Sequence, residues 1–170
     1  MAALLCILSG CTQSHNAEDD RAHDGHGNHV GPAEPSLEAL AYTLYTDKTE
    51  LFVEFKPLVV GQESRFAAHF TALGNLFKAI GEGVITLTLT GNGTSQSITA
   101  NKPEVPGIFR LRMTPEKTGI FNLVFDIKTP AFSDKITIEN VKVYADEKTA
   151  ITEQPESAAG GSDIDRKSVV

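Results

Sequence analysis

The segment IFNLVFDIK, residues 120–128, places a large apolar side chain at every second position: Phe121, Leu123, Phe125 and Ile127. Successive side chains of a β-strand point to opposite faces, so a period of two predicts a strand with one buried face. A turn signal, Pro115 to Gly119, comes directly before it. This segment is the clearest core strand in the chain.

The same alternation extends outward from this strand over about 100 residues, interrupted by turn residues roughly every 8–12 positions. Gly91-Asn92-Gly93 predicts a hairpin turn, because glycine and asparagine tolerate positive φ. The apolar phase shifts by one after Ile138, which predicts a β-bulge near Asn140. At most a short helical turn is expected around Leu73 to Ile80. The other inward series are Leu51, Val53 and Phe55; Phe66, Ala68 and Phe70; Ile85, Leu87 and Leu89; Phe109, Leu111 and Met113; Ile136 and Ile138; Val141 and Val143.

These patterns predict an all-β fold, an immunoglobulin-like antiparallel β-sandwich of seven or eight strands, over residues 39–148. The chain has 170 residues and 41% hydrophobic content, which suits one domain with tails. Residues 149–170 lack periodicity and are expected to form a disordered tail. The net charge of −7 argues against nucleic acid or anionic lipid as the main partner, because both repel an acidic surface.

The N-terminus carries a lipoprotein signal. Residues 1–11 combine an apolar run, Ala2 to Leu8, with the sequence Leu8-Ser9-Gly10-Cys11, in which small residues precede a cysteine. We expect signal cleavage and lipid attachment at Cys11, and hence a periplasmic, lipid-anchored protein of the cell envelope. No apolar run reaches the roughly 20 residues that span a bilayer as a helix, so the membrane partner is reached through the lipid.

The composition of residues 12–38 predicts a disordered, histidine-rich tether. The segment contains too few apolar residues for their burial to offset the conformational entropy lost on folding. Imidazole nitrogen is a common ligand of divalent metals, and the segment repeats histidine every third residue from His23 to His29. Without cysteine or methionine ligands after Cys11, this stretch suits Zn, Cu(II), Ni or Co bound weakly and exchangeably. In the alternative interpretation the histidines are incidental to a solvated linker. The candidate metal ligands are His15, His23, His26, His29 and Asp24, with Glu18, Asp19 and Asp20 as further oxygen donors.

Catalysis is not expected. His69 with Ser64 or Asp47 suggests a base and nucleophile, but no hydrolase elbow, HExxH pair or phosphate-binding loop is present. By alternation His69 lies on the outward face, where solvation is the ordinary state of a histidine and a metal contact is the alternative. Arg110 and Arg112 share one strand face and suit either an acidic partner or plain solvation.

Other acidic residues give no sign of a site. Asp126 and Asp134 lie in or beside strands without evidence that they converge. The segment Asp146-Glu147-Lys148 is interpreted as the polar exit of the last strand.

Four segments resemble one known family. They are residues 42–55 (YTLYTDKTELFVEF), 64–71 (SRFAAHFT), 106–110 (PGIFR) and 123–128 (LVFDIK). Together with the lipoprotein signal and histidine-rich leader, they resemble the N-terminal region of periplasmic adaptor subunits, the membrane-fusion proteins of resistance-nodulation-division (RND) heavy-metal efflux pumps, as in Bacteroidetes-like bacteria. The resemblance covers roughly Cys11 to Ala150. It implies an immunoglobulin-like domain in a metal-exporting system, with an RND pump or outer-membrane channel as partner.

The chain departs from this family after residue 150. A full adaptor continues into a helical hairpin, a lipoyl-like module and a β-barrel, whereas this sequence stops at Val170. We therefore expect a truncated adaptor or a domain that stands alone. Two functions remain open: a lipid-anchored metal-binding or adaptor domain of heavy-metal efflux, and a non-catalytic envelope interaction module with no specific metal role.

Overall fold

The computed structural model describes residues 35–74 and 77–154, and all structural statements concern these. They form ten strands and one helix. In chain order these are β1 (Leu40–Tyr45), β2 (Thr49–Phe55), β3 (Leu58–Val59), β4 (Ser64–Ala72), β5 (Lys78–Ala79), β6 (Val84–Gly91), β7 (Thr94–Ala100), β8 (Ile108–Met113), β9 (Gly119–Lys128), β10 (Ser133–Tyr144) and α1 (Glu147–Glu153).

The strands form two sheets. The first has the order β1-β2-β4, with β8 and the short β5 paired along the remaining side of β4. The second has the order β3-β10-β9-β6-β7. The facing series β2-β4-β8 and β10-β9-β6 correspond to the A-B-E and G-F-C strands of an immunoglobulin-like sandwich.

The expected core is confirmed. Every inward residue of the alternating series is buried, and the two inner faces form one continuous cluster. Phe70 joins the sheets, since its ring contacts Phe109 at 5.6 Å and Phe125 at 6.1 Å between centroids. Burial of side chains this large contributes about 1.5–3 kcal/mol each. The all-β sandwich is therefore the fold, as the apolar periodicity predicted.

Both special backbone positions are also confirmed. Asn92 and Gly93 have φ of 49° and 71° and close the two-residue hairpin between β6 and β7. Two positive φ values are the signature of a type I′ turn, which matches the twist of paired strands. Asn140 has φ of 58°, and the β9–β10 register shifts between Ile138 and Val141. The bulge keeps the core side chains inward on both of its sides.

Two details differ from the expectations. The structure has ten strands rather than seven or eight, because β3 and β5 have only two residues each. β3 pairs in parallel with the end of β10, so the sandwich is not wholly antiparallel. Around Leu73 to Ile80, where at most a short helical turn was expected, residues 78–79 form β5, one of the two added strands. The N–H of Ile80 donates to the carbonyl of Phe70 at 3.0 Å, so this backbone pairs with the edge of β4.

The ends of the domain also lie further out than the sequence suggested. α1 begins after Asp146, whose carboxylate accepts the N–H of Thr149 at 2.8 Å as an N-cap. The helix buries Ala150 against Leu37, Val59 and Tyr144. Residues 147–154 are thus part of the fold, not of a tail, and Asp146 is a cap and not merely a polar exit. The rest of the expected tail, 155–170, lies outside the described residues.

Both ends of the described domain meet at one corner. The side chain of Gln154 donates to the carbonyl of Ser36 at 3.0 Å and accepts the N–H of Glu38 at 3.1 Å. These contacts bridge more than 100 positions of sequence. We call this end of the sandwich, where β2 and β10 finish, the proximal end, and the opposite end, where β10 and β6 begin, the distal end.

Candidate docking surface on the first sheet

The predicted lipidation and metal-binding residues lie outside the described part of the chain. These are Cys11, His15, His23, Asp24, His26 and His29. Within residues 35–74 and 77–154, no three His, Cys, Asp or Glu side chains are placed to hold a metal ion together. No helix in the same ranges is long and apolar enough to cross a membrane.

The residues considered for catalysis are not brought together. Ser64 is buried on the inner face of β4, where its hydroxyl donates to the carbonyl of Lys56 at 3.4 Å. His69 lies on the outer face of the same strand, because an odd number of positions separates the two residues. Asp47 is exposed in the turn between β1 and β2.

The paired acids considered from the sequence also diverge. Asp126 forms an ion pair with Lys135 on the outer face of the second sheet, with an Nζ to Oδ1 distance of 3.2 Å. Asp134 is opposite Ile127, the next residue along β9, and faces the other way. Its carboxylate accepts from the Thr46 hydroxyl at 2.5 Å and from the N–H of Lys135 at 2.8 Å. Burial alone would raise the pKa of Asp134. These hydrogen bonds and the nearby Lys48 lower it by a larger amount, so the pKa lies below the ordinary value for aspartate.

The outer face of the first sheet instead carries a row of partly exposed apolar and aromatic groups. The strand register aligns Phe52 of β2, His69 of β4 and Ile108 of β8 across the sheet. The His69 ring stands edge-on to Phe52 at 5.6 Å between centroids, with an interplanar angle of 75°. We call Phe52, His69 and Ile108 the central row. A solvent-facing sheet surface is ordinarily polar, so apolar side chains are unusual there. Such exposed apolar groups mark a surface that a partner can cover.

Three arginines border the central row. Arg65 of β4 lies directly opposite Arg112 of β8, and Arg110 lies opposite Ala67, between them and the central row. A cleft of about 310 Å³ runs between these arginines, with Ala67 among the residues that line it. We call Arg65, Arg110 and Arg112 the arginine cluster. Arg110 and Arg112 lie on the same face of β8, as the sequence predicted.

Glutamates neutralise the arginine cluster only in part. One oxygen of Glu63 accepts from Nε of Arg65 at 3.0 Å and lies 3.4 Å from Nη1 of Arg112. Glu104 pairs with Nε of Arg110 at 3.1 Å. Like charges directly opposite in a sheet repel each other, and one carboxylate leaves this pair with a net positive charge. Guanidinium groups so placed bind carboxylates with directional hydrogen bonds.

The sequence pointed to His69, Arg110 and Arg112 but not to Phe52 or Ile108. Phe52 is the outward residue of the run Leu51-Phe52-Val53, and it is as apolar as its two inward neighbours. An apolar residue at an outward position breaks the alternation, and this break was the available signal of an exposed apolar surface. The alignment of the row across three strands depends on register, which the sequence did not provide.

Comparison with known proteins adds no further assignment, since no family model, curated protein or solved structure matches the chain. The class established by the structure is an all-β sandwich domain. Its surface is distinguished by the central row and the arginine cluster on one sheet.

Proposed function

We propose that this chain is a lipid-anchored periplasmic domain of an RND-type heavy-metal efflux system, in which the tether collects metal ions and the sandwich docks on another component. The observation that carries the docking role is the outer face of the first sheet, where the central row adjoins the arginine cluster. Aromatic residues and arginine are the side chains enriched at protein interfaces.

The docking role follows from the energetics of such a surface. Covering Phe52 and Ile108 removes apolar area from water at about 25 cal/mol per Å². The arginine cluster then selects the orientation, because an acidic group on the partner satisfies guanidinium hydrogen bonds that Glu63 leaves unfilled. The two parts of the surface thus provide affinity and specificity respectively.

The metal role rests on the residues of the tether. Neutral imidazoles at His23, His26 and His29 are ligands suited to Zn, Cu(II), Ni or Co, and Asp24 adds an oxygen ligand. Attachment at Cys11 holds these ligands near a membrane pump, which raises the local ion concentration there. Release must remain easy for transport, which favours weak binding by a flexible segment over a closed site.

Isothermal titration of the chain without its signal, with Zn, Cu(II), Co and Ni, tests the metal role. The matched variant replaces His23, His26 and His29 by alanine. We expect saturable binding by the parent and its loss in the variant, with unchanged thermal unfolding of the sandwich. Equal binding by both proteins would contradict the metal role and favour an interaction module whose histidines are linker residues.

Charge reversal tests the docking role. The variant Arg65→Glu with Arg112→Glu should abolish co-purification with the RND pump or outer-membrane channel components of the same cell. Lys117→Glu, an exposed change in the loop between β8 and β9, is the control and should retain it. Retention by both variants would exclude the arginine cluster as the docking surface.

A further inference from the structure

Three loops and the β1–β2 hairpin turn lie at the distal end of the sandwich, and backbone hydrogen bonds connect the described residues of these segments. The N–H of Leu73 donates to the carbonyl of Lys48 at 2.7 Å, and the N–H of Gly107 donates to the carbonyl of Ile80 at 2.9 Å. The N–H of Thr129 donates to the carbonyl of Phe132 at 2.9 Å, which closes the third loop. These bonds make the distal end a platform built on the sheets.

This platform exposes apolar side chains on two adjacent loops. Phe77 is 76% exposed and Val105 is 51% exposed. Their loops are adjacent, because Ala79 and Ile80 lie against Gly107. An apolar cleft of about 200 Å³ continues the surface from Ala79 and Ile80 to the loop at residues 129–132. The remaining exposed apolar members are Ala79, Pro106, Pro130 and Ala131.

Lysines lie at the same end of the sandwich. Lys48, Lys78, Lys102 and Lys128 are exposed at the distal end. The acidic groups there are Asp47, Glu50, Glu82 and Asp134, since Glu104 is paired with Arg110. The four lysines balance these four carboxylates, so the distal end carries none of the excess negative charge of a chain whose net charge is −7. An aromatic tip beside lysines matches a bilayer interface, where rings enter the headgroup layer and ammonium groups reach phosphate.

We propose that the distal end is a membrane-contact surface, in which Phe77 and Val105 enter the interfacial layer of the bilayer and the four lysines contact lipid phosphate. The inference rests on the proposed function in one respect: an anchor at Cys11 keeps a bilayer close to the domain. The described chain ends emerge at the proximal end. Contact through the distal end therefore uses neither the chain ends nor the outer face of the first sheet, which stays open to a partner.

Tryptophan fluorescence provides the test, because the chain has no tryptophan. The full chain carrying Phe77→Trp is reconstituted in vesicles of phosphatidylethanolamine with a minor fraction of phosphatidylglycerol. The control is Ile120→Trp, a 49% exposed position at the proximal start of β9. We expect the emission at position 77 to shift to the blue and to be quenched by lipids with brominated acyl chains. The emission at position 120 should show neither effect.

A second variant measures how much Phe77 contributes. Phe77→Ala removes an exposed ring, so folding should be unchanged, and vesicle binding of the unlipidated chain should fall about tenfold or more. Incorporation of labelled palmitate reports the anchor separately. Palmitate incorporation with an unquenched Trp at position 77 would overturn the membrane contact and leave the anchor intact.

The remaining outcomes also decide between the alternatives. If no palmitate is incorporated, vesicles are added to the soluble chain: quenching at position 77 supports the contact without the anchor, and its absence overturns the contact. A blue shift that requires envelope proteins in the vesicles would identify a protein partner and overturn the lipid assignment.

Discussion

The hydroxyl of Thr46 donates a hydrogen bond of 2.5 Å to Oδ2 of Asp134, which lies 88 positions later in the chain. The same hydroxyl accepts the N–H groups of Lys48 at 3.1 Å and Thr49 at 2.9 Å. One side chain therefore closes the β1–β2 turn and ties it to the start of β10. Because β1 and β10 belong to different sheets, this contact joins the two layers at the distal end.

Replacing Thr46 by valine should destabilise the domain by about 1–2 kcal/mol, since a hydrogen bond to a charged group is lost and two N–H groups lose their acceptor. The free energy of unfolding from urea titration measures this loss. An unchanged urea midpoint would show that the contact does not tie the sheets together.

Thr49 is a matched control for Thr46. Its side-chain oxygen is buried and makes no hydrogen bond of normal geometry among the described residues, although the side chain lies near the Asp134 carboxylate and helps to lower its pKa. Thr49→Val keeps the shape and removes only this weaker interaction, so the loss of stability should be much smaller than that of Thr46→Val. A loss as large as that of Thr46→Val would mean that this hydroxyl does make a bond in solution.

The stability of the domain should fall in acid. The pKa values of Asp134 and Asp146 are lowered in the folded state, for Asp146 mainly by the N–H of Thr149. A lowered folded pKa contributes stability above the ordinary aspartate pKa of 3.8, and this contribution is lost as pH falls through the folded value. Urea midpoints of the parent and Asp134→Asn should therefore differ at neutral pH and converge as pH falls below 3.8. A difference independent of pH would contradict this linkage.

Gly83 should tolerate no side chain. Its φ is 147°, and an added Cβ would lie 2.7 Å from the backbone oxygen of Lys128. Gly83→Ala should destabilise the domain by about 1–3 kcal/mol, because β6 must move away from β9. Gly81→Ala is the control, with open space at the Cβ position and no positive φ. Thermal unfolding compares them, and equal transition temperatures would refute the steric argument.

Docking of α1 should hold the start of the domain in place. Ala150 is fully buried, so Ala150→Arg forces a charge into the contact with Leu37 and should detach the helix. Hydrogen exchange at residues 36–40 should then accelerate, while the strands of the second sheet remain protected. The exposed change Thr152→Arg should leave exchange at residues 36–40 unchanged.

The inner face of each sheet was predictable because burial imposes a period of two, which the chain carries openly from Leu51 to Val143. The Asn92-Gly93 turn and the Asn140 bulge were predictable for the same local reason. The pairing of the two edge strands was not predictable, because Leu58-Val59 and Lys78-Ala79 are too short to show a period of two. Helix α1 was missed because only Ala150 of its seven residues is buried, so no apolar stripe marks it.

For the sites, the sequence alone placed His69, Arg110 and Arg112 on outward faces. It also indicated metal binding by the histidine-rich tether, which stays a prediction. Only the tertiary structure set Arg65 against Arg112, aligned Phe52 with His69 and Ile108, and gathered Phe77 and Val105 at one end. The reason is physical: alternation along one strand specifies a face, but the neighbours across a sheet depend on register. Register is determined by turns, bulges and packing between residues far apart in sequence.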